Sequence, residues 1–165
     1  RQVNSQLSIT NRQSVIVPVD ENFGIIIPKL GANARVIPNV DPYDSRAYQY
    51  ALTQGIAHAR GTSVPGASGN IFLFSHSSVN FYEASRYNSI FYLINKLEAG
   101  DDIILYYNTS KFTYRVTGKT FVEPTDVSYL TNATKKTEKT VTLMTCWPPG
   151  TTLKRLLVFA ALSQE

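Results

Sequence analysis

The one cysteine of the chain, Cys146, lies in the stretch 142-TLMTCWPPGTTLKR-155. A β-branched run leads up to the thiol, a Trp-Pro-Pro-Gly turn follows it, and Arg155 opens the next apolar run, RLLVFAAL. A thiol is a good nucleophile only as thiolate, and a reference pKa of about 8.5 leaves little thiolate at neutral pH without a base or a positive neighbour. Arg155 stays charged under ordinary conditions and donates in a rigid fork, so it can hold a developing oxyanion or a substrate carbonyl. The acid/base role needs a group that titrates nearer neutrality, with a reference pKa of about 6.5. Two histidines are present to fill it, His58 and His76. Each residue also has an ordinary structural reading. A lone Cys serves as a small buried apolar side chain, an Arg at a strand start snorkels to solvent, and Trp147 packs as a loop anchor.

The elements around these residues decide whether they can meet. Alternation along KTVTLMTC places Cys146 on one face with Met144 and Thr142, at the end of a strand. Each proline of WPPG fixes φ and removes a donor, so the chain turns there. If RLLVFAAL pairs back antiparallel, Arg155 stands beside Cys146 at the same sheet end. His76 closes NIFLFSH, a run that reads as a buried strand, and His58 is expected in the loop region just before it.

Elsewhere, residues 1–14 are polar, lack a clear period and read as a tail or linker, with one domain over 15–165. VIVPVD, FGIIIPKL and ARVIPNV are short runs broken by Pro and Gly, which predicts strands with edges and bends. The stretch 41-DPYDSRAYQYALTQG-55 predicts a helix with Asp41 or Asp44 as its cap and Gly55 as its C′ glycine. GTSVPGASG is a loop by composition. In SIFYLINKLEAGD, the spacing of Ile90, Leu93, Ile94 and Leu97 predicts a short amphipathic helix. DIILYYN and KFTYRVTGKTFVEP add further strands. About eight short strands with two short helices point to an all-β barrel or sandwich.

Composition narrows the function classes. At 165 residues the chain has the length of one domain with a real core. Its formal charge of +4 is scattered, and the one cluster, 135-KKTEK-139, is interrupted by an acid. A nucleic-acid binder gathers its cations on a stripe or face, so this class is set aside. One cysteine makes no internal disulfide, and an unpaired thiol in an exported protein calls for a working role. The chain begins at Arg1 and its one methionine is Met144, so a segment carrying any signal or membrane anchor is expected outside this sequence.

The segments taken together resemble the sortases, the cysteine transpeptidases of bacterial cell surfaces. The resemblance is carried by 142-TLMTC-146 with Arg155 opening RLLV, by FGIIIPKLG, by 55-GIAHARGTSVPGASGNIFLFSH-76, by FYLINKLEAGDDIILYY and by FTYRVTGKTFVEPTD, over roughly residues 22–160. It implies a closed eight-stranded β-barrel with short helices in the connections. It further implies Cys146 as nucleophile, His76 as general acid/base and Arg155 as the group that stabilises the oxyanion and orients substrate. Thr145 matches the threonine that helps line the substrate groove, and His58 matches a histidine near the active site of several sortase classes, with a structural hydrogen bond as its expected job. The implied reaction cleaves an LPXTG-like sorting motif through a thioester and passes the acyl group to an amine of the cell envelope or a pilin lysine. The implied partners are therefore surface proteins bearing the motif and the amine acceptor. The implied place is the outer face of the membrane, reached through the N-terminal anchor.

This sequence departs from the family at Ser75, where sortases usually have Gly before the histidine. The stretch 41-DPY-43 is similar to the lid motif of pilin-assembling sortases but follows FGIIIPKLG, whereas a lid precedes the barrel. Acids between the later strands are sparse (Glu123, Asp126), so a calcium site is not supported and no metal or cofactor is expected. Two other functions remain open from the residues: a non-enzymatic surface module with a structural cysteine, and a cysteine hydrolase of the same fold in which water resolves the thioester.

Overall fold

The computed structural model of the protein describes residues 15–76, 87–129 and 137–164. The expected tail, 1–14, lies outside the described residues. Eight strands close into one barrel. In chain order they are β1 (Phe23–Ile27), β2 (Ala32–Val40), β3 (Ile56–Ala59), β4 (Gly69–Phe74), β5 (Asp102–Tyr107), β6 (Ser110–Val122), β7 (Lys139–Trp147) and β8 (Lys154–Gln164). Around the barrel they run β1-β2-β3-β4-β7-β8-β6-β5. The pairings are antiparallel except β2 with β3 and β4 with β7. Closure leaves no unpaired edge, and it resolves the choice between barrel and sandwich.

Period-two alternation divides the strands between two apolar layers. Ile25, Ile71, Leu73, Val141, Leu143, Leu156 and Val158 fill the barrel interior. Their sequence neighbours Phe72, Phe74 and Leu157 face outward and form a second cluster with Ala51 and Leu52 of helix α1 (Ser45–Gln54). The helix thus covers part of the outer wall. Asp44 is its cap: the carboxylate accepts from Arg46 N at 3.0 Å and Ala47 N at 3.1 Å. Asp41 instead accepts from Tyr43 N in the preceding turn.

Four expectations are corrected in detail. Gly55 is not left-handed but extended, at φ 169. Glycine is needed there because a Cβ would run into the Arg35 carbonyl of β2. VIVPVD forms no strand; the Asn33 side chain holds it instead, donating to Val17 O at 2.7 Å and accepting from Val19 N at 3.0 Å. Tyr87–Lys96 is a 3-10 helix rather than an α-helix. With three residues per turn, Phe91, Ile94 and Leu97 fall on one buried line while Leu93 turns outward at 37% exposure. Lastly, His58 lies within β3 and not in a loop.

Candidate active site

β7 carries Cys146 one residue from its end, on the outward face with Met144. The thiol is unpaired and partly exposed. On one side, β8 runs antiparallel with Cys146 directly opposite Arg155. Arg155 alternates with the inward Leu156, so it shares the outer face with Leu157 and Phe159. Its Nη1 donates to Thr152 O at 3.3 Å and Lys154 O at 3.2 Å, so the turn between β7 and β8 fixes the guanidinium by its own carbonyls.

On the other side, β4 runs parallel to β7, with Phe74 opposite Met144. The ladder continues past the strand end, where Ser75 N donates to Met144 O at 3.2 Å. His76 follows two residues past the end of β4, as Cys146 follows Met144 by two in β7. Thiol and guanidinium therefore stand opposite each other on the paired strands β7 and β8, and His76 follows the end of β4 on the other flank of β7. The sequence places Arg155 beside Cys146 correctly, because a turn of fixed length joins their strands. The parallel pairing that brings in β4 cannot be read from local spacing, since some 70 residues separate its partners.

Alternation turns Thr145 the other way. It is 1% exposed, and its hydroxyl donates to Ser75 O at 3.0 Å inside the barrel. Rather than lining an outer groove, it ties the end of the histidine-bearing chain to that of the cysteine-bearing strand. Ser75 Oγ is also buried and has no hydrogen-bond partner among the described residues.

His58 too faces the interior, 1% exposed and with its ring 5.5 Å from that of Phe23. Its Nδ1 accepts from Asn39 N at 3.1 Å, at the bulge where β2 shifts register against β3. Its Nε2 lies 2.8 Å from Ser63 O. A carbonyl only accepts, so the ring is the neutral tautomer with hydrogen on Nε2. Burial pushes its pKa below the usual histidine value, against the opposing pull of the Ser63 and Thr62 contacts. This histidine is structural: it satisfies a bulge N–H and holds the turn after β3.

One residue at the site escapes the sequence reading. Tyr129, in the segment after β6, stacks on Phe72 and donates from its hydroxyl to Met144 Sδ at 3.3 Å. A single tyrosine in a polar turn carries no periodic signal, and only the closed barrel shows what lies beneath it. Among the described residues, no group of three or more His, Cys, Asp or Glu is placed to hold a metal ion. No helix among them is long and apolar enough to cross a membrane.

The comparisons with known proteins show which family shares this closed barrel. The Sortase domain model matches residues 25–163, and the chain belongs to this family of cysteine transpeptidases of the bacterial cell envelope. Among its relatives, sortase D of Bacillus subtilis (strain 168) is 26% identical over 160 residues, covering 94% of this chain and 71% of that protein. A sortase D5 transpeptidase from Clostridium perfringens is 26% identical with a TM-score of 0.68, covering 90% of this chain and 82% of its own. Sortase C-1 from Actinomyces oris, 24% identical with a TM-score of 0.71 over 89% of this chain and 76% of its own, shares the fold.

Proposed function

We propose that this protein cleaves an LPXTG-like sorting motif in two acyl-transfer steps, using Cys146 as nucleophile, His76 as general acid/base and Arg155 as oxyanion and substrate anchor. The Cys146 thiolate attacks the threonine carbonyl, and the charge that develops on its oxygen faces the Arg155 guanidinium. The tetrahedral intermediate collapses as His76 gives its proton to the departing amine, leaving a thioester. An incoming amine, from a peptidoglycan cross-bridge or a pilin lysine, attacks that thioester. His76 takes the amine's proton, an amide forms and the thiolate is released. The enzyme would work at the outer face of the bacterial membrane, tethered through a segment N-terminal to this sequence.

The observation that best supports this reading is the pairing of Cys146 with Arg155 across β7 and β8, with His76 two residues past the end of β4 on the other flank. A fixed guanidinium beside the thiol is worth most where charge appears only in the transition state. The test is product analysis of an LPXTG-like peptide with and without triglycine, meso-diaminopimelate or Nα-acetyl-lysine. A ligated product that needs both amine and Cys146 is expected. Free acid alone, in the presence of every amine, would instead assign the hydrolase.

A further inference from the structure

Tyr129 is held at the site by a strong contact and a weak one. The strong one is its ring, half-buried and stacked on Phe72 with centroids 5.4 Å apart and planes 15° apart. The weak one is its hydroxyl, whose acceptor is the thioether of Met144 at 3.3 Å. Thioether sulfur is a poor acceptor, so this O–H is oriented but under-satisfied, and a carbonyl reaching it would form the better bond. Met144 precedes Cys146 by two residues on the same face, so the residue that accepts from the hydroxyl stands about 7 Å back from Cys146 along the strand. That is the repeat of two residues in an extended peptide. The partly buried Val122, beside the covered Phe72 and Leu157, gives the same outer face an apolar floor. The phenol also senses the site electrically. Burial raises its pKa, while the Arg155 charge lowers it and Cys146 adds a smaller upward push.

This inference rests on the acyl-transfer reading above. We propose that Tyr129 is a substrate-positioning residue whose hydroxyl leaves Met144 and donates to a backbone carbonyl of the bound peptide, about two residues to the acyl side of the scissile bond. The acyl side is chosen because the apolar floor runs back from Cys146 along β7, and the apolar residues of an LPXTG-like motif precede its threonine. A bond to the backbone reads no side chain, so Tyr129 sets the register of the peptide over the thiol. With its ring clamped on Phe72, the donor is ordered before substrate arrives.

The experiment compares two alkylating reagents on the parent and on Tyr129→Phe, which keeps the ring and removes the hydroxyl. One is acetyl-Leu-Pro-Glu-Thr chloromethyl ketone, which carries the peptide carbonyls; the other is iodoacetamide, which carries none. The expected result is a loss of about five- to tenfold in the variant's second-order rate with the peptide reagent, all of it in the half-saturating concentration, with the iodoacetamide rate unchanged. Equal rates of parent and variant with the peptide reagent would overturn the proposal. So would an equal fall with both reagents, which marks a structural role, or a parent that shows no preference for the peptide reagent. The acyl-transfer reading is judged separately by the Cys146-dependent ligated product. That product formed at full rate and unchanged KM by Tyr129→Phe would sink this inference alone.

Discussion

At Arg155, charge and shape can be separated. Lysine keeps the charge but loses the rigid fork that the carbonyls of Thr152 and Lys154 hold in place. Arg155→Ala is expected to lower kcat by about a hundred- to a thousandfold, the usual loss on removing one oxyanion donor, and Arg155→Lys to recover only part of it. Single-turnover rates of thioester formation are the check, and full activity in Arg155→Lys would reduce the arginine to a point charge. At His58 the consequence is for stability, not rate. The folded protein holds this ring neutral and depresses its pKa, so the unfolded chain binds the proton more readily. Stability from this source is complete above the unfolded value near 6.5 and drains away as pH falls below it toward the depressed folded value. The partly exposed Asp101, lowered chiefly by its hydrogen bond from Lys29, loses its contribution only below the ordinary carboxylate value of 3.8, so its window opens at lower pH than that of His58. Urea midpoints of the parent should therefore fall as pH drops below about 6.5, and His58→Gln should flatten that slope.

At the scale of elements, the site depends on how the ends of β4 and β7 are joined. Thr145 hydrogen-bonds Ser75 O across that junction, whereas the Ser75 hydroxyl has no hydrogen-bond partner among the described residues. Two neighbouring hydroxyls should thus behave in opposite ways. Thr145→Val leaves a buried carbonyl unpaired and is expected to cost about 1–3 kcal/mol and to slow turnover by loosening His76 against Cys146. Ser75→Ala removes a buried, unsatisfied group and is expected to stabilise by up to about 1 kcal/mol. Denaturant titrations of the two variants decide it, and equal destabilisation by both would mean that packing, not hydrogen bonding, governs the junction. These elements also mark what the sequence makes legible. Strands β4, β7 and β8 stand out as branched and aromatic runs, and the meeting of Cys146 with Arg155 follows from the turn between them. The 3-10 helix is hidden because Ile90, Leu93, Ile94 and Leu97 fit a 3.6-residue period, while burial follows the three-residue line Phe91, Ile94, Leu97. The inward aspect of Thr145 is implicit in the alternation that turns Cys146 outward, yet its partner Ser75 lies 70 residues away and is visible only once the barrel closes.

For the whole molecule, the barrel acts as a rigid frame whose interior sets the height of the site on its wall. Leu143, fully buried on the inner face of β7, alternates with Met144 and Thr142, whose faces lead to Cys146. Leu143→Ala is expected to cost about 2–5 kcal/mol in unfolding free energy. If the frame is what aligns the site, turnover at saturating substrate should fall as well, even at temperatures where the variant is fully folded. The surface pair Lys154–Glu123, 3.7 Å apart and more than half exposed on each side, is expected to contribute under about 1 kcal/mol.

The claim that organises all of this is that Cys146 forms a thioester with a sorting-motif peptide. Intact-mass spectrometry of the parent and of Cys146→Ala, each mixed with a small library of LPXTG-like peptides, tests it most directly. The account predicts an adduct of the acyl fragment's mass on the parent, absent from the variant and discharged by an added amine. An adduct of equal mass on Cys146→Ala, or none on a parent whose thiol iodoacetamide also fails to reach, would contradict it.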